Sequence, residues 1–419
     1  MDHLQKWFDK TVEQLLEPNE ILLTLMENQF SVWGIALSET QKSSLKVQIQ
    51  KDQIETFVID LSDNQIEQFR KAGYDPDSLV LDFRNFDKKG FEQGAGKICT
   101  DLIFKASDIA SDTLLKDWKK QADTLLKRER KKQIQFTRYV DYLCGKPLKL
   151  LEMLLSICEG AGFDFDANFR SVAIKENDMV FDVLTRSHLR GCQIGREILT
   201  LLSSGLADGA YARWRTLHEV SVVVGLIAEH GKGLAERYLF HKAISDYHDA
   251  VQYQQHCAIL GFEPLSDAKL EALKSKRDAV IERFGDKFDY DYGWAEGSIG
   301  LERKRNINFT DIEKAVSLQH MRPFYKAANL NVHAGSGAIL FRFGAPPNQD
   351  ILPTRGSVFG LSEPGRNTAL SISLITGTLL LTKQNLDRLA LVTAIQKMRD
   401  EVFWAFDEVD AVFENGKID

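Results

Sequence analysis

Residues 111–143 read SDTLLKDWKKQADTLLKRERKKQIQFTRYVDYL, and the placing of their apolar side chains decides the fold class. Leu114, Leu115, Trp118, Ala122, Leu125 and Leu126 recur at intervals of three and four, which lines side chains along one face of an α-helix. A half-buried strand would alternate every second residue instead. The same helical spacing runs through most of the long segments on either side, broken by only 9 prolines and 28 glycines in 419 residues. The chain is therefore read as all-α, a multi-helix bundle with a separate N-terminal helical domain. The basic run Lys127, Arg128, Arg130, Lys131 and Lys132 is read as charge on the solvent side of this helix.

Outward from that stretch, Gly145-Lys146-Pro147 and Gly160-Ala161-Gly162 are expected to break helices. The domain boundary is drawn there, giving an N-terminal domain over 1–160 and a C-terminal bundle over 161–419. In the bundle, helices are expected over Val172–Ser204, Gly209–His230 and Leu234–Leu260, with a capping box at Thr310-Asp311-Ile312-Glu313. Residues 335–365, GSGAILFRFGAPPNQDILPTRGSVFGLSEPG, resist helix: they hold four of the nine prolines and two short β-like runs, Ile339–Phe343 and Ser357–Leu361. A small β-like hairpin or structured loop near 338–362 is expected. Pro364 then opens a last apolar helix, and an amphipathic helix ends near Phe413. No solenoid repeat is visible.

A net charge of −7, from 53 basic and 60 acidic residues, supplies no global positive field for nucleic acid, so any such contact is local. The cysteines, Cys99, Cys144, Cys158, Cys192 and Cys257, show no ligand spacing and no disulfide framework, so no metal or other cofactor is expected. The first residues, MDHLQKWFDKTVEQLL, carry charge throughout and lack the apolar core of a secretory signal. The most apolar run, LSISLITGTLLLT at 370–382, is shorter than the roughly 20 residues a membrane span needs. A cytoplasmic chain without membrane attachment is expected.

Phosphate-loop, nucleophile-elbow, zinc-protease, EF-hand and dinucleotide signatures are absent from the sequence. What stands out is Gly209–Glu219, where Arg213, Arg215, His218 and Glu219 crowd an otherwise apolar helix. Such groups are costly to bury unpaired. Arg215, His218 and Glu219 share a face by their spacing of three and four. A second polar stripe holds Arg237, His241, Ser245 and His248; a third holds Tyr325, Asn329 and His333, running into a glycine-rich stop. If the stripes converge, arginine, imidazole and carboxylate together suit phosphate binding and proton transfer near pH 7. The catalytic candidates are Arg213, Arg215, His218, Glu219 and His333; the ligand-binding candidates are His241, Tyr325 and Asn329. The competing reading makes Arg215 and Glu219 a buried pair that locks helix packing.

The segments ARWRTLHE (212–219), ERYLFH (236–241) and FYKAANLNVHAGS (324–336), in that order, resemble a bacterial family of helical proteins known as a domain of unknown function. The resemblance spans Val172 to Gly337 and implies a helical bundle, with no activity attached. Arg213 and His218 also fit the arginine, four to six residues, histidine pattern of HEPN-type nucleases, helical proteins of defence and toxin systems. That similarity implies a dimer that cleaves RNA without metal, the histidine and arginine acting on the scissile phosphate. Here Trp214 stands where those nucleases place a polar residue. A spacing of five also turns Arg213 and His218 about 140° apart on a regular helix, so one site needs a helix interruption or a partner subunit. Two readings stay open: a HEPN-like ribonuclease or nucleotide-handling protein, and a non-catalytic sensor or interaction module whose cluster is structural or binds a small anionic ligand. A homodimer is the expected assembly.

Overall fold

The structure is a computed structural model that describes residues 18–50, 57–71, 73, 75, 88–297, 306–340, 342–345 and 355–415. The first 16 residues, read above for a secretory signal, lie outside the described residues. The described part is helical, with no strand. Two compact units divide at Arg130, Met1–Arg130 and Lys131–Asp419.

In the first unit, α1 (Pro18–Val32), α2 (Glu39–Ile49) and α3 (Asp63–Lys71) surround a small core of Met26, Phe30, Ile35, Leu45 and Phe69. Two short segments repeat each other: Ile35-Ala36-Leu37-Ser38 before Gln41, and Ile59-Asp60-Leu61-Ser62 before Gln65. Each serine opens a helix, and the glutamine three residues on accepts its backbone N–H, at 2.8 Å for Ser38 and 3.0 Å for Ser62. The two glutamines then cross. Gln41 Nε2 donates to the Asp60 carbonyl at 2.7 Å, and Gln65 Nε2 to the Ala36 carbonyl at 2.8 Å. The side-chain amides also bond each other at 2.9 and 3.2 Å. This is a neutral clasp between two helix N-termini, assembled from one motif used twice.

Helix α4 runs from Lys88 to Glu176, 89 residues with Pro147 inside. The expected breaks at Gly145–Pro147 and Gly160–Gly162 do not interrupt it. An internal proline costs a helix about 3 kcal/mol, but here Val140, Cys144, Leu148, Leu151, Leu154, Leu155 and Cys158 are all buried in the main core. Packing on that scale outweighs the local preference. Gly162 is a contact point, since a Cβ there would stand 2.2 Å from the His188 ring. Earlier on α4, Leu115 and Trp118 of the apolar stripe stay exposed, at 45% and 61%, and the basic run beyond it is solvent-facing, with Glu129 half-buried among it.

The second unit is built on α5 (Met179–Ser203), α6 (Ala207–His230), α13 (Ser362–Leu381) and α14 (Leu386–Glu414). The first three pack on one another, and α14 lies against α13. The helix expected from Val172 onward is instead interrupted at Asn177, whose φ is +50°; Asp178 then caps α5 by accepting the Phe181 N–H at 3.0 Å. The single helix expected from Leu234 is likewise two, α7 (Lys232–Phe240) and α8 (Lys242–His256), meeting at His241; α9 (Asp267–Phe284) follows. Helix α10 (Phe309–Ala315) is capped by Asn308 with Asp311 as its box partner, rather than by Thr310. Then come α11 (Arg322–Asn329) and the short α12 (Ser336–Leu340).

No hairpin forms among the described residues of 335–365. Its backbone donors go elsewhere: the Phe343 N–H is taken by Asp208 Oδ1 at 2.9 Å, and the Ser357 N–H by the Gly205 carbonyl at 2.7 Å. Gly205 lies in the turn from α5 into α6, and Asp208 in the first turn of α6. Residues 342–345 and 355–361 are thus loop pieces fastened to the start of α6 and the turn before it, and α13 begins two residues before Pro364.

Candidate functional site

Helix α6 buries Ala210, Tyr211, Trp214, Leu217, Val224, Leu226 and Ile227, so its apolar stripe faces the core and leaves Arg215 and Glu219 towards α11. Trp214 anchors the core side, its indole N–H donating to the Asn367 carbonyl at 3.0 Å and to Ser371 Oγ at 3.1 Å. On the other side Arg215 and Glu219 pair at 2.9 Å. Each also reaches α11: Arg215 Nε donates to Asn329 Oδ1 at 2.6 Å, and the Tyr325 hydroxyl donates to Glu219 Oε1 at 2.5 Å. Residue 215 meets 329 and 219 meets 325, so two i,i+4 pairs face each other on antiparallel helices. The Arg215 guanidinium also lies 4.5 Å from the Tyr325 ring centre.

One turn away, His218 Nε2 donates to Glu313 Oε1 at 2.9 Å. The carboxylate is fully buried and the imidazole nearly so. Arg322 Nε stands 3.3 Å from the second carboxylate oxygen. This contact is ionic rather than a formed hydrogen bond, since that oxygen has no hydrogen-bond partner. The His218 ring is walled by Trp214, Phe309 and Tyr325, with ring centres 5.3, 6.1 and 5.8 Å away. Burial, and then the bonded Glu219 carboxylate, push the Tyr325 phenol above its ordinary range. Burial raises the neighbouring Tyr292 phenol too, with the charge of Glu219 as the next cause. Tyr325 therefore remains a protonated donor at neutral pH.

The candidates named from sequence part company here. Arg215, His218, Glu219, Tyr325 and Asn329 come together. Arg213 points elsewhere and pairs with Glu197 of α5, so within one chain it does not meet His218. His241 serves a different junction, donating from Nε2 to the Tyr290 carbonyl at 2.9 Å; burial lowers its pKa. Arg237 holds the same loop, bonding the Trp294 and Gly293 carbonyls at 2.9 and 2.8 Å, and Trp294 is buried as a plug. His248 lies 3.5 Å from Asp289.

His333 lies beyond the network on an open cleft of about 440 Å³, which Asp208, Gly209, Asn331 and Arg342 also line, with Leu330 and Val332 as its apolar wall. His333 and Arg342 are exposed. Asn329, which Arg215 holds, is four residues before His333, so the ionic network fixes the helix end from which this wall departs. Glu313, Arg322, Asp208 and Arg342 were not singled out from sequence. Glu313 had appeared only as a capping residue, and the other three sit in segments whose pattern carries no mark of the pairing.

A further buried histidine was also missed. His188 is 1% exposed, lies 3.1 Å from Thr376 Oγ1 and 3.8 Å from Cys192 Sγ, and has its pKa pushed down to about 4 by burial. Burial likewise raises the neighbouring thiols, Cys158 to about 11 and Cys192 to about 12, which keeps them unreactive. Among the described residues no group of His, Cys, Asp and Glu is placed to hold a metal ion, and no helix is long and apolar enough to cross a membrane.

No curated protein and no solved structure matches the chain. The three sequence motifs fall within one family match, which carries no activity and lends no support to the nuclease resemblance. Over residues 181–350 the chain matches the model of a family described as a family of unknown function, DUF5677.

Proposed function

We propose that residues 131–419 form a non-catalytic sensing module that takes a small anionic ligand in the cleft beside His333, with the Arg215–Glu219–Tyr325–Asn329 network as its rigid frame. One observation carries this reading: the charged groups of the network are paired with each other and largely buried, whereas His333 and Arg342 are exposed and have no ion-pair partner among the described residues. A general acid or base must reach a substrate proton within hydrogen-bond distance. His218, with a side chain 2% exposed and its Nε2 committed to Glu313, is poorly placed for that. A concavity that presents an arginine and an imidazole beside a fixed helix end suits carboxylate or phosphate recognition instead.

The test has two arms. Titration calorimetry with inorganic phosphate and with short carboxylates is expected to show binding that His333→Ala and Arg342→Ala each weaken at unchanged melting temperature. Incubation of the same protein with total RNA in EDTA is expected to leave the RNA intact. RNA cleavage by the parent chain, lost in a folded His218→Ala variant, would overturn the reading in favour of the nuclease.

A further inference from the structure

The cleft at the start of α6 carries both signs of charge. Arg342 supplies the cation and His333 an exposed imidazole, and Asp208, beside Gly209 near the start of the helix, supplies a carboxylate that lines the same cleft. Only one oxygen of Asp208 is committed: Oδ1 accepts the Phe343 N–H at 2.9 Å, and among the described residues the carboxylate has no cationic partner. Asn331, in the same lining, holds an amide donor, Nδ2, with no hydrogen-bond partner. The rest is apolar, from Leu330, Val332 and Ala334. A simple anion would use Arg342 and His333 but leave the free oxygen of Asp208 without a partner. A simple cation would meet the reverse problem. A molecule carrying a carboxylate and an ammonium a few bonds apart, with an aliphatic remainder, satisfies each feature at once.

We propose that this cleft binds a free α-amino acid with an aliphatic side chain: its carboxylate on Arg342 and His333, its ammonium on the free oxygen of Asp208, and its side chain against Leu330, Val332 and Ala334. The inference rests on the anionic-ligand reading and names the ligand class of the same site. A volume of about 440 Å³ holds such a molecule with water. Asp208 is the group that separates an amino acid from a plain carboxylic acid, since it bonds only the ammonium. The frame behind the cleft accounts for specificity without large closure, because Arg215 fixes Asn329 and Asp208 fixes Phe343, so both walls are tied before ligand arrives.

The experiment is titration calorimetry on the full chain with L-leucine, with 4-methylpentanoate, which lacks the amine, and with 3-methylbutylamine, which lacks the carboxylate. Leucine is expected to bind best, the acid roughly fivefold more weakly, in line with one solvent-facing ion pair of up to about 1 kcal/mol, and the amine weakest. Asp208→Asn keeps an oxygen for the Phe343 N–H; it should bring leucine down to the affinity of the acid and leave the acid unweakened. Acid and leucine binding equally, in the parent and in Asp208→Asn, would overturn the amino-acid assignment and leave the anion reading standing. No binding of leucine or the acid at millimolar concentration, nor of phosphate, would overturn both.

Discussion

The polar groups between α6 and α11, and those just beyond the end of α11, occupy two different settings. Arg215 and Glu219 have partners on α11, and the deepest groups beside them, His218 of α6 and Glu313 of α10, are almost wholly out of water. Four residues past Asn329, His333 stands in solvent on an open cleft with Arg342, and neither has an ion pair among the described residues. The residue types are the same in both places. What differs is whether the protein or the solvent completes them. A charge whose partner is internal stabilises an arrangement of helices and is lost to chemistry, whereas one whose partner is water remains available to a ligand.

That contrast breaks first at Glu313. Truncating one member of a buried pair strands the others, at a cost of about 3–5 kcal/mol. Glu313→Ala leaves His218 and Arg322 facing an empty site, so the melting temperature should fall by on the order of 10 °C. Circular dichroism melting checks this, and a loss of less than about 3 °C would show that the pair is not structural.

His188 tests the same principle through pH. Its folded pKa is about 4 against about 6.5 for an unfolded histidine. The unfolded chain therefore binds the extra proton between those values, so stability is full above about pH 6.5 and falls as the pH drops towards 4. The loss at the acid end is about 3 kcal/mol. His188→Gln should flatten the dependence of stability on pH between 4 and 6.5; denaturant midpoints that decline as steeply in the variant would assign the acid sensitivity to other groups.

Arg215→Ala sits lower on the scale. Arg215 and Glu219 retain side-chain exposures of 25% and 29%, so solvent screens the orphaned carboxylate, and about 1–2 kcal/mol is expected. The outcome to look for is a melting loss smaller than that of Glu313→Ala, together with weaker ligand binding, because Asn329 is released. An undisturbed cleft in this variant would separate the frame from the site.

These placements also mark where the sequence can be read. The helical class, the polar crowding on α6 and the four-residue ladder of Tyr325 and Asn329 follow from periodicity, because a helix converts spacing directly into facing. The partner of His218 does not. Glu313 is 95 positions away, and nothing local marks a capping residue as a core ion. The continuity of α4 through Pro147 was hidden for a related reason: glycine and proline signal breaks locally, while the burial of Leu148, Leu151 and Leu155 that overrides them is tertiary. The Ser38–Gln41 and Ser62–Gln65 clasp was hidden because a motif used only twice is too short to register as a repeat. The nuclease pattern is the reverse case, two residues close in sequence that face apart, Arg213 towards Glu197 and His218 towards Glu313.

The smallest expected effect is the one that bears most on function. His333 is exposed and its side chain has no hydrogen-bond or ion-pair partner among the described residues, so His333→Ala removes no internal side-chain hydrogen bond or ion pair and should change stability by no more than about 0.5 kcal/mol. Binding behaves differently. An imidazole that helps hold a carboxylate contributes to the complex alone, so its removal should weaken carboxylate binding severalfold while the melting curve without ligand stays superimposable on that of the parent. Thermal melting with and without ligand separates the two. A destabilised ligand-free protein would place His333 with the sealed network and erase the distinction drawn between them; an unchanged melt with undiminished binding would move recognition away from this wall. Only a silent melt with lost binding leaves His333 as a group whose partner arrives from outside.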